Sequence, residues 1–254
     1  AQSQDILGAW SWQGKKEEAI SLVAGAQKLT TNLLVAQEPF DYFEPTAAAI
    51  EEALTLASQA DKVVVALGET DWMSGEAASR SDIRLPEKQL AVVAQIIEKN
   101  PNVVVTVYSG RPLDLQGIDV AKGIVQAWQP GTEGGNALAE ILWGQYNPSG
   151  RLSMSFPETV GQVPIFYNVD NTGRPYESAP EEKYVSKYLD VSNYAKYPFG
   201  FGLSYSHFSY QPIQLSALTF TKEQPVTVSV LVRNNSPIAG EETVQFYVRD
   251  LVPP

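Results

Sequence analysis

With 254 residues, 44% of them hydrophobic, the chain is long enough to bury a sizeable core as one large domain, or as one domain plus a piece of a second. A formal net charge of −11 argues against nucleic acid or an anionic membrane as partner, because both need clustered Lys and Arg. No apolar run reaches the roughly 18 residues of a membrane span, and no charged-then-apolar leader precedes the first motifs. Cysteine is absent and His207 is the single histidine, so disulfides, thiolate chemistry and histidine-rich metal sites drop out together. Acid–base work is left to carboxylates, Lys or Tyr, and no metal or cofactor is expected.

In chain order, Thr46 follows Pro45 and opens an Ala-rich stretch over 47–60. Ile50, Ala53, Leu54 and Ala57 recur there with the i, i+3, i+4, i+7 spacing of one helix face. The β-branched run Val63–Leu67 reads as a buried strand that ends at Gly68. A polar loop with Glu69, Asp71 and Glu76 follows, Glu76 lying within Ser74-Gly75-Glu76-Ala77-Ala78-Ser79-Arg80. Ligands of open α/β sheets gather at the carboxyl ends of strands, which singles out these acids; the alternative is a solvated loop whose acids do nothing. Leu85-Pro86 opens the next helix, whose apolar stripe is Leu90, Val93, Ile96 and Ile97 and whose stop is Asn100-Pro101. Val103–Tyr108, closed by Ser109-Gly110-Arg111-Pro112, and Ile124–Trp128 read as two further strands. Strands alternating with helices predict an α/β fold, a mostly parallel sheet sandwiched between helices, with Glu76 projecting from the edge where the strands end.

The turn Pro130-Gly131-Thr132-Glu133-Gly134-Gly135-Asn136 precedes a helix with Leu138, Ile141 and Leu142. Gly-rich helix starts can bind phosphate. Neither nucleotide fingerprint is present, so a tight turn passing close to a neighbouring backbone is favoured. From Asn147-Pro148-Ser149-Gly150 to Gly202 the periodicity fades into a Tyr-, Pro- and Gly-rich stretch too aromatic for disorder, expected to pack irregularly on the core. His207, in Ser204-Tyr205-Ser206-His207-Phe208, reads as structural at a domain junction. Beyond it, Val226–Val232 and Thr243–Val248 alternate with period two and predict antiparallel strands of a sandwich too short to be complete.

Gly8-Ala9-Trp10-Ser11, Gly68-Glu69 through Arg80-Ser81-Asp82-Ile83-Arg84-Leu85-Pro86, Ser109-Gly110-Arg111-Pro112 and Gly131-Thr132-Glu133-Gly134-Gly135-Asn136-Ala137 follow one another in a recognisable order. Asn147-Pro148-Ser149-Gly150-Arg151-Leu152, Ser155-Phe156-Pro157 and Tyr197-Pro198-Phe199-Gly200-Phe201-Gly202-Leu203-Ser204-Tyr205 continue it. The series resembles the C-terminal half of glycoside hydrolase family 3 β-glucosidases, particularly the bacterial periplasmic branch. The resemblance implies an α/β sandwich domain over 1–206, its first strand missing upstream of Ala1-Gln2-Ser3. It further implies an incomplete fibronectin-III-like domain over 207–254, and a TIM barrel with the nucleophilic Asp that is absent here.

The implied activity is retaining, exo-acting hydrolysis of terminal non-reducing β-D-glucosyl residues of oligosaccharides or aryl glucosides, with β-xylosidase activity a further option. A periplasmic or secreted location is implied as well. Aligned with the family's loop glutamate, Glu76 takes the general acid/base role; Glu69 and Asp71 are the alternatives. Arg80 and Trp72 are taken as substrate-binding residues: Arg80 could hold Glu76 by hydrogen bonding or pair with Asp82 or another loop acid, and Trp72 offers an aglycone platform. With one carboxyl group of the pair, the chain alone is expected to be inactive, and its open strand edges to make it dimerise or aggregate. A non-catalytic carbohydrate-binding or scaffolding piece is the competing reading.

Overall fold

The computed structural model describes residues 6–249 apart from Pro39, Tyr42 and Asn171; Ala1-Gln2-Ser3, where the missing first strand was expected to join, lies outside the described residues. Helix α1 (Leu22–Leu29) is followed by α2 (Ala47–Gln59), β1 (Val63–Gly68), α3 (Glu87–Lys99), β2 (Val103–Tyr108), β3 (Gly123–Gln126) and α4 (Gly134–Leu142). The three strands form one parallel sheet in the order β1-β2-β3, with Val63 opposite Val103 and Val105 opposite Ile124. Thr46 caps α2 by accepting the Ala49 N–H at 3.1 Å, and α3 starts after Pro86, as the sequence predicts.

Strand alternation splits the core. Val65, Leu67, Val103, Val105 and Val107 pack with Val92, Val93 and Ile96 of α3. Ala66, Tyr108, Val125 and Ala127 pack on the other face with Leu22, Ala26, Leu138 and Ala139 of α1 and α4. Burial on both faces is why β2 reads as a continuous apolar run rather than an alternating one, whereas Val64 of β1 is exposed. Each fully buried valine of β2 contributes about 1.5–3 kcal/mol.

The Gly-rich turn is explained by helix crossing. A Cβ on Gly25 would lie 2.2 Å from the Gly135 carbonyl oxygen, and one on Gly135 would lie 2.1 Å from that of Ser21. Only glycine lets α1 and α4 approach this closely. The Gly135 N–H donates to Ile20 O at 3.0 Å and the Gly131 N–H to Ile6 O at 3.1 Å, so these amides serve the fold rather than an anion.

Helix α1 escapes sequence reasoning because it is eight residues long and interrupted by Gly25, leaving too little periodicity to read. The third strand is shorter than expected: it ends at Gln126, and Trp128 takes a left-handed backbone, φ +56°.

Burial pushes the Tyr108 phenol up to about 12, a hydrogen bond with Thr106 offsetting part of the rise. With the folded value above the ordinary one near 10, the neutral ring stabilises the fold fully below about pH 10, and that contribution is lost as pH rises through about 12. In an alkaline titration followed by tyrosinate absorbance and circular dichroism, the last phenol should ionise together with unfolding. Complete ionisation near pH 10 with native dichroism retained would contradict the assignment.

Beyond Gly202 the strands are short: β4 (Phe208–Tyr210), β5 (Gln214–Leu215), β6 (Val228–Ser229) and β7 (Val232–Asn234) pair antiparallel as β4-β7 and β5-β6. Here the expectation needs correcting. The 226–232 segment supplies β6 and the start of β7, but 243–248 joins no ladder. Its side chains are drawn to the α/β part instead: Gln245 donates to Gly200 O at 2.9 Å, and the Tyr247 ring meets Tyr167 edge-on at 5.7 Å. Beside them Arg151 pairs with Glu242 at 2.6 Å, and Asn147 donates to Ser206 Oγ at 2.8 Å and Ala239 O at 2.9 Å. The exposed His207 contributes its carbonyl to the Asn235 N–H at 2.8 Å, a backbone role at this junction.

Candidate functional site

Strand β1 ends at Gly68, φ +145°, where a Cβ would stand 1.9 Å from Tyr108 O, so the chain can leave the sheet edge here only as glycine. Gln89, buried on α3, grips both the N–H and the carbonyl of Gly68 at 3.1 Å each. The following loop places the three candidate acids in different surroundings.

Glu69 is enclosed. Its side chain is 1% exposed, with Arg80 Nη1 at 2.8 Å and Arg111 Nε at 3.0 Å from Oε1. Oε2 accepts the Gly110 N–H at 3.2 Å. The Nε contact with Arg111 is charge to charge, since that N–H is not aimed well enough for a hydrogen bond. Asp71 opens a single turn of helix, Asp71–Met73, and is ion-paired with Lys16.

Glu76 differs from both. It is exposed at the tip of the loop, and its carboxylate makes no hydrogen bond or ion pair among the described residues. Its neighbours hold left-handed backbones, φ +109° at Gly75 and φ +58° at Ala77. For alanine that conformation costs about 1–2 kcal/mol and persists only where surrounding contacts impose it. Two such contacts come from Arg111, whose Nη2 donates to Met73 O at 2.5 Å and Ala78 O at 2.8 Å. Ser74, buried between them, accepts from Gln129 at 3.1 Å.

Arg80 is turned toward Glu69 rather than Glu76, and also donates to Arg84 O at 3.0 Å. Asp82 is taken by Arg84, whose guanidinium holds that exposed carboxyl down to about 2. Trp72 is 67% exposed, its ring centroid 6.0 Å from that of Phe43. Trp10 lies beside the loop, its Nε1 3.3 Å from where a Gly75 Cβ would be, so exposed indole surface adjoins Glu76. Sequence reasoning missed the part played by Arg111 and Gln129. A cation directly after the central strand, in Ser109-Gly110-Arg111-Pro112, was the available signal.

The profile of the glycosyl hydrolase family 3 C-terminal domain matches residues 1–205. The chain belongs to this family. A periplasmic β-glucosidase of Salmonella typhimurium is 38% identical over 271 aligned positions, covering 98% of this family 3 chain and 35% of the relative. A β-xylosidase of Formosa agariphila is 36% identical, covering 78% of this chain and 27% of its own length. Among solved structures, the Listeria innocua β-glucosidase in complex with gluconolactone superposes with a TM-score of 0.87 at 38% identity, covering 94% of this chain and 33% of that one. The Listeria enzyme has also been solved with glucose, and a variant of it with laminaribiose. The family 3 chain thus spans roughly a third of the length of these relatives. No helix among its described residues is long and apolar enough to cross a membrane.

Proposed function

We propose that this family 3 chain supplies the general acid/base of a retaining, exo-acting β-glucosidase, and that Glu76 is that group. One observation carries the reading: of the three acids on the loop after β1, Glu76 alone is exposed and unengaged, while Glu69 and Asp71 are committed to ion pairs. Retaining hydrolysis needs two carboxyl groups about 5–5.5 Å apart. The nucleophile, an Asp of the barrel, attacks the anomeric carbon as the Glu76 carboxyl protonates the departing oxygen. The resulting Glu76 carboxylate then takes a proton from the water that releases the sugar.

The substrates are terminal non-reducing β-D-glucosyl units of gluco-oligosaccharides or aryl glucosides, with Trp72 flanking the leaving group. The β-xylosidase among the relatives makes xylosides the second class to assay. Arg80 belongs to the site through Glu69 and the loop rather than through a sugar contact. The family domain is assigned to 1–206 and a fibronectin-III-like portion to 207–254, and the location to the periplasm or the exterior. Exposed Leu218, Phe220 and Val248 make self-association of the isolated chain the expected behaviour.

Assayed alone on aryl β-glucosides, the chain should show no turnover, and adding a family 3 barrel should restore it. Sugar binding without turnover, with the barrel present, would favour the scaffolding reading instead. Turnover by the chain alone would place a complete carboxyl pair within these residues and overturn the proposal.

A further inference from the structure

Resting on the Glu76 reading, we propose that Arg111 is the positioning residue of the acid/base, tying the loop segment that carries it to the end of the central strand. Its backbone is fixed where β2 ends. The Ser109 hydroxyl donates to Arg111 O at 2.8 Å, the Ser109 N–H to Trp128 O at 3.3 Å, and the Gly110 N–H to buried Glu69 at 3.2 Å. From this anchor the guanidinium spans the loop. Its Nη2 donates to Met73 O and Ala78 O, the carbonyls that bracket positions 74–77 and therefore Glu76.

Glu69 holds the guanidinium from its other side, Oε1 standing 3.0 Å from Nε. The same oxygen binds Arg80, which reaches on to Arg84 O at 3.0 Å and fixes the returning strand of the loop. The enclosed carboxylate is thus the hinge pin of two guanidiniums, and both clamp loop carbonyls. Ala77 keeps its left-handed backbone between those clamps. A planar fork is needed, because one face must meet a carboxylate while an outer nitrogen meets two carbonyls. The single ammonium of lysine does not reproduce that arrangement. A carboxyl that serves first as acid and then as base is sensitive to misplacement, 1 Å costing about 100-fold.

The test is Arg111→Lys in a polypeptide that carries the barrel, with kcat/KM measured on an alkyl glucoside and on aryl glucosides of graded leaving-group acidity. Rates are normalised to the burst of released phenol, so that misfolded enzyme is not counted. Arg111→Lys should lose about 100-fold on the alkyl glucoside and much less on the dinitrophenyl glucoside, steepening the leaving-group dependence as Glu76→Gln does. Arg151→Lys, at the ion pair with Glu242, is the control and should leave the slope unchanged. Should Arg111→Lys not fold, Glu69→Gln is the second variant and should steepen the slope in the same direction. A steepened slope for Glu76→Gln with an unchanged slope for Arg111→Lys overturns the Arg111 assignment alone. Equal losses on all substrates for Glu76→Gln overturn the acid/base reading, and this proposal with it.

Discussion

Replacing Glu76 with Gln, in an enzyme that includes the barrel, is expected to lower kcat/KM on alkyl glucosides and cellobiose by about 100- to 10,000-fold, the usual range for losing a general acid. On dinitrophenyl glucosides the loss of the glycosylation step should be small, because such a leaving group departs without a proton. Glutamine keeps the size of the side chain and removes the proton that is transferred, so the difference between substrates isolates the chemistry from the packing. Since Glu76 is exposed and unengaged, the same change should leave unfolding free energy within about 0.5 kcal/mol. Equal losses on both substrate classes would remove Glu76 from the role. Losses of this pattern confined to Glu69 or Asp71 variants would move the role to them.

Glu69→Ala should do the opposite, costing stability of about 3–5 kcal/mol. Its carboxylate is 1% exposed, and removing it leaves two guanidiniums, 21% and 20% exposed, facing each other with their counter-charge gone. The partial exposure of those guanidiniums lets water relieve part of the repulsion and places the expected value toward the lower end of that range. Denaturant unfolding of the 254-residue chain measures it directly. A midpoint equal to that of the parent would mean that the three charges are not coupled as their distances imply.

Much of the α/β part could be read from residues alone because both of its periodicities are strong. Val63–Leu67 and Val103–Tyr108 have no polar interruption but Thr106, the second of them covered on both faces, and α2 and α3 show their apolar stripes over thirteen residues each. The Gly-rich turn was correctly read as close backbone passage, because the nucleotide alternatives require spacings this sequence lacks. Local pattern failed where long-range contacts decide. Thr243–Val248 alternates like a strand, yet Gln245 hydrogen-bonds to Gly200 and the Tyr247 ring packs on Tyr167, and the segment joins no ladder.

The candidate site is legible in the sequence only as a loop. Three acids within eight positions after a strand mark the place, but which one is enclosed depends on Arg111, 42 positions beyond Glu69 and invisible to local spacing. Arg80 illustrates the same limit. Four residues from Glu76 and two from Asp82, it reads as the partner of Glu76 or of another loop acid, and only the folded loop, with Arg80 Nη1 2.8 Å from Glu69 Oε1, decides for the second.

The most direct measurement uses Glu76→Ala in the barrel-containing enzyme, turning over a dinitrophenyl β-glucoside in the presence of azide. Glycosylation proceeds with this leaving group, and water attacks the glycosyl-enzyme slowly without its base. Azide, already an anion, needs no deprotonation. If Glu76 is the acid/base, turnover should rise with azide concentration and the product should be β-glucosyl azide, its carbon–nitrogen bond replacing the ester to the barrel's nucleophile. Turnover unaffected by azide, with glucose as the sole sugar product, would contradict the role assigned to Glu76.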